Sequence, residues 1–293
     1  MASGAVARAT TGARERSARR RLLPRGILKH TVLLLVGALV AYPVYFMVTN
    51  GMKTFFEATG RPTLWPHEIH FENYGLAWAS APWGRYFLNT IFIAVAVTLG
   101  ELVTAVLAAY ALARMSFRGK AFVFGLFLAT YMVPDEATLI PNFLLMSRRF
   151  LGWQDSYQAQ IVPFLATAFS IFLLRQFFLS VPSELQDAAR IDGAGHLRFL
   201  WSIVLPISVP ALVTVAIITF LGSWNAFLWP LIVTNRPDFR PVQVGLNAFR
   251  QEAGSNYNLL MAASTFVIAP IVVLYLVAQR YLVQGVARTG IRG

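Results

Sequence analysis

Three groups of residues in this chain have types and spacings that could do chemistry. Asp135 and Glu136 are adjacent carboxylates inside an otherwise apolar stretch. Paired carboxylates suit general acid–base catalysis, and intramembrane acids suit the binding of a coupling ion. Glu101 is a lone carboxylate midway along another apolar run. Asn225 lies beside Trp224, with Trp229 four residues on. An amide among rings is what a sugar site uses, because the amide bonds to hydroxyls while a ring face covers the sugar's C–H face. The same residues could equally serve interhelical packing through a polar side chain.

Several chemistries are disfavoured at once. No histidine, nucleophile or metal-type cluster accompanies Asp135 and Glu136, so an enzyme is the weaker reading. The chain has no cysteine, which excludes disulfides, thiolate catalysis and cysteine metal sites. Gly119-Lys120 lacks both the earlier glycine and the following hydroxyl of a phosphate loop, so no nucleotide site is expected on this chain.

The elements that must hold these residues are membrane spans. The chain of 293 residues is 57% hydrophobic and 13% charged, with a mean hydropathy of +0.58. A soluble domain carries about a quarter charged residues. Six apolar runs, at 31–49, 86–113, 121–146, 157–179, 207–233 and 259–283, are read as crossings of a bilayer. The expected fold class is all-α, a polytopic membrane protein with six transmembrane helices. Residues 1–30 form a basic tail with almost no apolar periodicity, expected to be disordered, and 286–293 form a short second tail. The segment from Gly51 to Arg85, with Trp65, Trp78 and Trp83, reads as a structured interfacial loop. A carboxylate at mid-membrane costs about 2.5–3.5 kcal/mol on insertion scales, so Glu101 should face protein or water. Pairing inside the bundle, with a hydroxyl as one candidate, is the favoured reading. The third run is interrupted at Met132–Pro134, which places Asp135 and Glu136 in a polar cavity or at its mouth.

Between the fourth and fifth runs lies the longest polar segment, Ser183 to Pro206. Ser183 and Gln186 have the spacing of a capping box. Glu184 and Asp187 sit in the first turn, where the helix dipole favours negative charge. Gly193 suits the left-handed residue that ends a helix. The reading is a helix of two to three turns, a bend, and a second apolar helix ending at Pro206. Ala188 and Ala189 leave its middle without bulk, which suits close approach of another backbone.

Six crossings put both termini on one side. Seventeen of the 25 lysines and arginines fall on that side, in the tail, around Arg114, Arg118 and Lys120, in the central loop and at the C-terminus; eight fall on the other. The positive-inside rule then makes the termini and the central loop cytoplasmic. The formal charge of +12 is accounted for by this placement, and nucleic acid is not expected as a partner.

Asp187-Ala188-Ala189, three residues, then Gly193 resembles the EAA loop of ABC importer permeases. The wider string from Ala188 to Pro206, with Trp224-Asn225 and Trp229-Pro230-Leu231, is similar to the carbohydrate-uptake, MalG-like branch. Weaker matches are Asn89-Thr90, the run Ala109 to Arg114, and Phe117 to Lys120. The resemblance covers nearly all the chain after about residue 28. It departs at Asp187, where that family usually has glutamate. It implies an ABC type-1 transmembrane domain over 31–285, with Glu184, Asp187, Ala188, Ala189, Asp192 and Gly193 meeting an ATPase. It also implies a sister permease, two ATP-binding subunits that carry ATP and Mg²⁺, and an external solute-binding protein. The location would be a bacterial or archaeal inner membrane, and the solute a sugar or a related polyol or glycerol phosphate. The substrate path would include Trp224, Asn225, Trp229, Asp135 and Glu136. A secondary transporter using Glu101, Asp135 and Glu136 is the alternative; it leaves the central loop without a role and finds no internal repeat.

Overall fold

The computed structural model describes residues 3–252 and 256–289, without the side chains of 3–25, 135, 251–252, 277–278 and 280–289. In chain order the helices are α1 (Ser3–Gly51), α2 (Phe55–Thr59), α3 (Glu72–Ala79), α4 (Trp83–Arg114), α5 (Lys120–Tyr131) and α6 (Asp135–Met146). Then follow α7 (Tyr157–Ile161), α8 (Ala168–Ser180), α9 (Ser183–Ile191), α10 (His196–Phe199) and α11 (Leu205–Ile207). The chain ends with α12 (Val209–Trp224), α13 (Leu228–Val233), α14 (Val242–Glu252) and α15 (Tyr257–Thr289). Among the described residues four segments are long and apolar enough to cross a membrane, and six if each of two bent helix pairs makes one crossing. The all-α, multi-span expectation is met.

Three boundaries differ from the sequence reading. The segment expected to be an unstructured tail continues α1 upstream to Ser3. Alanine and arginine are strong helix formers, and residues added to an existing helix avoid the cost of nucleation. In the same way α15 carries residues 286–289, while 290–293 lie outside the described residues. The run at 207–233 divides: α12 stops at Trp224, Asn225 to Phe227 intervene, and Trp229 to Leu231 belong to α13. On its other side α12 meets the helix from His196 to Ile207 at a bend of 79°, between Pro206 and Pro210, each of which removes a backbone donor. The break foreseen at Met132–Pro134 is present between α5 and α6.

Helix α4 is the post around which the bundle is built. It packs against α8, α12, α14 and α7. Its buried positions, among them Tyr86, Thr90, Ile93, Val97, Glu101, Ala105 and Ala109, recur every three or four residues and form one stripe. Against lipid tails there is little hydrophobic drive between helices, so close packing of small residues must hold them. Gly100 is such a place. A Cβ built there would run into a methyl of Leu165.

The core has three parts. One, at the end of α4 near the central loop, joins Ala105, Tyr110, Leu174, Phe178, Ala189, Phe199 and Val204. The second, at the far end, gathers Trp83, Tyr86, Trp224, Phe249 and Ala262. The third joins Met146, Ala159, Trp229 and Val233. Also at the far end, α2 and α3 fold onto the bundle. Lys53 is buried and donates to the carbonyl of Thr63 at 2.7 Å, while Asn73 donates to the carbonyls of Gly51 and Lys53. The structured loop expected between Gly51 and Arg85 is therefore tied down by side-chain hydrogen bonds to backbone carbonyls. The apolar face of α1 is exposed over most of Ile27 to Val40, as suits a helix whose solvent is lipid.

Candidate functional site: the central loop and the polar groups between spans

Helix α9 is short, so its conformation depends on its two ends. At the C-terminal end, Gly193 has φ +75°. The amide of Gly193 donates to the carbonyl of Arg190 at 3.0 Å, and that of Ala194 to the carbonyl of Ala189 at 2.8 Å. This is a Schellman stop, and the left-handed residue in it suits glycine. At the N-terminal end the expected capping box is absent. Pro182, with φ −55° and ψ 139°, takes the cap position, and no side chain caps the helix. The extended proline shifts the register by one, so Ser183 is already helical and cannot turn its hydroxyl onto the third amide.

The face of α9 that is free divides the proposed coupling residues. Glu184, Asp187, Ala188 and Asp192 are exposed, but Ala189 is buried against the loop-end core. Ile191 is 87% exposed. Glu184, Asp187, Ala188 and Ile191 follow the i, i+3, i+4, i+7 pattern, so they share one face. Sequence reasoning missed Ile191, although that spacing could have found it. Asp187 and Arg190 form an exposed pair at 3.9 Å, worth little by itself. We expect Gly193→Pro to destroy this stop, because proline holds φ near −65°. Limited proteolysis between 191 and 196 checks it, and cutting no faster than in the wild type would count against this.

Two residues of α4 reach this loop. Arg114 donates through Nε at 3.0 Å and Nη2 at 2.6 Å to the carbonyl of Phe178, and through Nη2 to that of Val181. Phe178 lies in the last turn of α8, where its carbonyl also takes the amide of Val181 at 3.4 Å, and Val181 is the residue just past the helix. The hydroxyl of Tyr110 lies 3.1 Å from Nδ1 of His196. In return Arg175 of α8 donates to the carbonyl of Leu112 at 3.2 Å, with its guanidinium over the ring of Phe124.

Glu101 is paired with hydroxyls, as expected. Thr167 donates to its Oε1 at 2.5 Å and Ser170 at 2.6 Å. The same helix helps mend the break between α7 and α8, where Thr104 donates to the carbonyl of Leu165. Irregular backbone at this depth is tolerated because protein groups satisfy it.

The expected substrate path is not assembled as one site. Trp224 is buried among Phe87 and Phe220, and Trp229 is buried with its indole donating to the carbonyl of Ala159 at 2.9 Å. Both rings are packed within the chain, Trp229 where α13 meets α7, so neither presents a free face here. Asn225 remains exposed, with Gln243 at 3.5 Å from its Oδ1. Glu136 is exposed near the start of α6, and the side chain of Asp135 lies outside the described residues.

These features define a class first: a polytopic membrane protein with a short helix displayed at one face and no phosphate loop in its sequence. Residues 101–288 match the family described as binding-protein-dependent transport system inner membrane component, and the chain belongs to that family. The sn-glycerol-3-phosphate transport system permease protein UgpE of Yersinia pestis is 34% identical over 268 residues, 88% of this chain and 95% of that one. The arabinooligosaccharides transport system permease protein AraQ of Halalkalibacterium halodurans is 36% identical over 247 residues, 84% and 85% of the two chains. The crystal structure of a bacterial ABC transporter involved in the import of the acidic polysaccharide alginate superposes with a TM-score of 0.78 at 26% identity, covering 87% and 95%. A bacterial alginate ABC transporter, crystallised in complex with an alginate pentasaccharide-bound periplasmic protein, shares the fold at a TM-score of 0.60 and 15% identity. The chain is thus a permease subunit of an ABC importer of the carbohydrate-uptake type, and a multi-pass cell-membrane protein.

Proposed function

We propose that this permease pairs with a second, similar permease and couples two ATP-binding subunits to alternating access for a hydroxyl-rich solute, a sugar or a polyol or glycerol-phosphate compound. An external solute-binding protein delivers the solute, and ATP and Mg²⁺ are held by the partner ATPase. The termini and the central loop are cytoplasmic. The observation that carries this reading is the free stripe Glu184, Asp187, Ala188 and Ile191 on α9, on the side with most of the basic residues. A short helix that shows small and apolar groups at this spacing on one free face suits laying into a groove of another protein. The substrate class is supported by the relatives, which are named for sn-glycerol 3-phosphate and arabinooligosaccharides.

Solute binding can drive the cycle only through different affinities for the two access states. The test is uptake into vesicles carrying the full complex. ATP inside the same compartment as α9 is expected to drive uptake, and an ion gradient without ATP is expected to drive none. Uptake by this chain alone on an ion gradient would overturn the reading.

A further inference from the structure

We propose that the coupling helix α9 is bracketed from both ends by two residues of α4, Tyr110 and Arg114, so that α4 receives its movement directly. The inference rests on the coupling role proposed above. Tyr110 and Arg114 are four residues apart and therefore lie on one face of α4. Arg114 grips the chain just before α9, through the carbonyls of Phe178 and Val181. Val181 is two residues ahead of Ser183, the first residue of α9. Tyr110 grips the chain just after α9, through Nδ1 of His196, the first residue of α10. The two rings also meet edge to face, with centroids 6.0 Å apart.

Between these grips α9 itself touches the bundle core through the small side chain of Ala189. A small hollow lined by Tyr110, Gln186, Arg190, Gly195 and His196 lies under it. A short helix seated on one methyl group and held at both ends cannot shift without pulling what holds it. The holders are charge-assisted or buried: a guanidinium on helix-end carbonyls is favoured by the dipole, and Tyr110 is buried. Lys120 reinforces the end of α4 by donating to the carbonyls of Ala113 and Met115 at 3.2 and 3.0 Å. Arg175, by its bond to Leu112, ties α8 to α4 at the same level. Tyr110 and Arg114 are therefore positioning residues, acting through α9.

The experiment compares Tyr110→Phe, Arg114→Gln and Arg114→Lys with the wild type in the reconstituted complex. It reads solute moved per ATP hydrolysed alongside complex yield and basal ATP hydrolysis. Tyr110→Phe removes a single oxygen and keeps the ring. It should leave yield and basal hydrolysis near wild type while solute moved per ATP falls about fivefold, as for one lost hydrogen bond. Arg114→Gln should fall further, and Arg114→Lys should recover part of the loss. A wild-type ratio in Tyr110→Phe overturns the bracket, as does a loss confined to yield in all three variants. If Arg114→Gln does not assemble, Tyr110→Phe decides. A wild-type complex that shows no ATP-driven uptake would instead overturn the coupling role itself.

Discussion

Ala188→Arg is expected to stop ATP-driven uptake while leaving the chain inserted and stable. Ala188 is exposed on the same face as Glu184, Asp187 and Ile191. Among the described residues nothing covers that face, so an arginine there meets no clash until a partner arrives. Against a closely fitting cleft the added bulk and charge should cost the interface a central contact. Loss of a contact at the centre of an interface costs about 2 kcal/mol where that contact is a hot spot, so uptake should fall by about tenfold or more. Ala189→Arg is the instructive neighbour. Its side chain points into the core beside Phe199 and Tyr110, where overpacking costs about 1–3 kcal/mol and burial of an unpaired charge adds to it. It should lower the thermal stability of the isolated chain, which Ala188→Arg should not. Uptake at the wild-type rate in Ala188→Arg would refute the assignment of this face.

The second large effect concerns stability. Glu101→Leu removes the acceptor used by both Thr167 and Ser170. A buried hydroxyl left without a partner costs about 1–3 kcal/mol, although partner exchange within the membrane can reduce this to well under 1 kcal/mol. With both hydroxyls affected, we expect a net loss of about 2 kcal/mol, read as a lower unfolding midpoint in detergent. Glu101→Gln keeps a carbonyl oxygen in the same place and should lose about half as much. Equal stability of the leucine and glutamine variants would show that the acceptor is not what matters at this position.

How much of this was legible in the sequence depended on whether the signal was local. The Gly193 stop could be read because only a left-handed residue permits that turn. The break at Met132–Pro134 could be read because the apolar run before it is too short to cross. The pairing of Glu101 followed from the cost of an isolated carboxylate in hydrocarbon. The phase of α9 could not be read, since it depends on which side meets the core, and Ala188 and Ala189 are alike in composition. The capping box failed for a local reason, as Pro182 already occupies the cap. Trp224 and Trp229 have the chemistry of a sugar platform, and their packing against Phe87 and against α7 depends on contacts far apart in the chain. The contacts of Tyr110 with His196 and of Arg114 with Val181 span 86 and 67 residues. No pattern in a single chain announces them.

The close meeting of Gly100 with Leu165 bears on how such chains can diverge. A methyl group at 100 would meet only the end of the Leu165 side chain, which has to turn aside to admit it while Thr104 and Glu101 keep α4 and the broken helix together. Bulk gained at 100 should therefore go with a shorter or re-oriented side chain at 165.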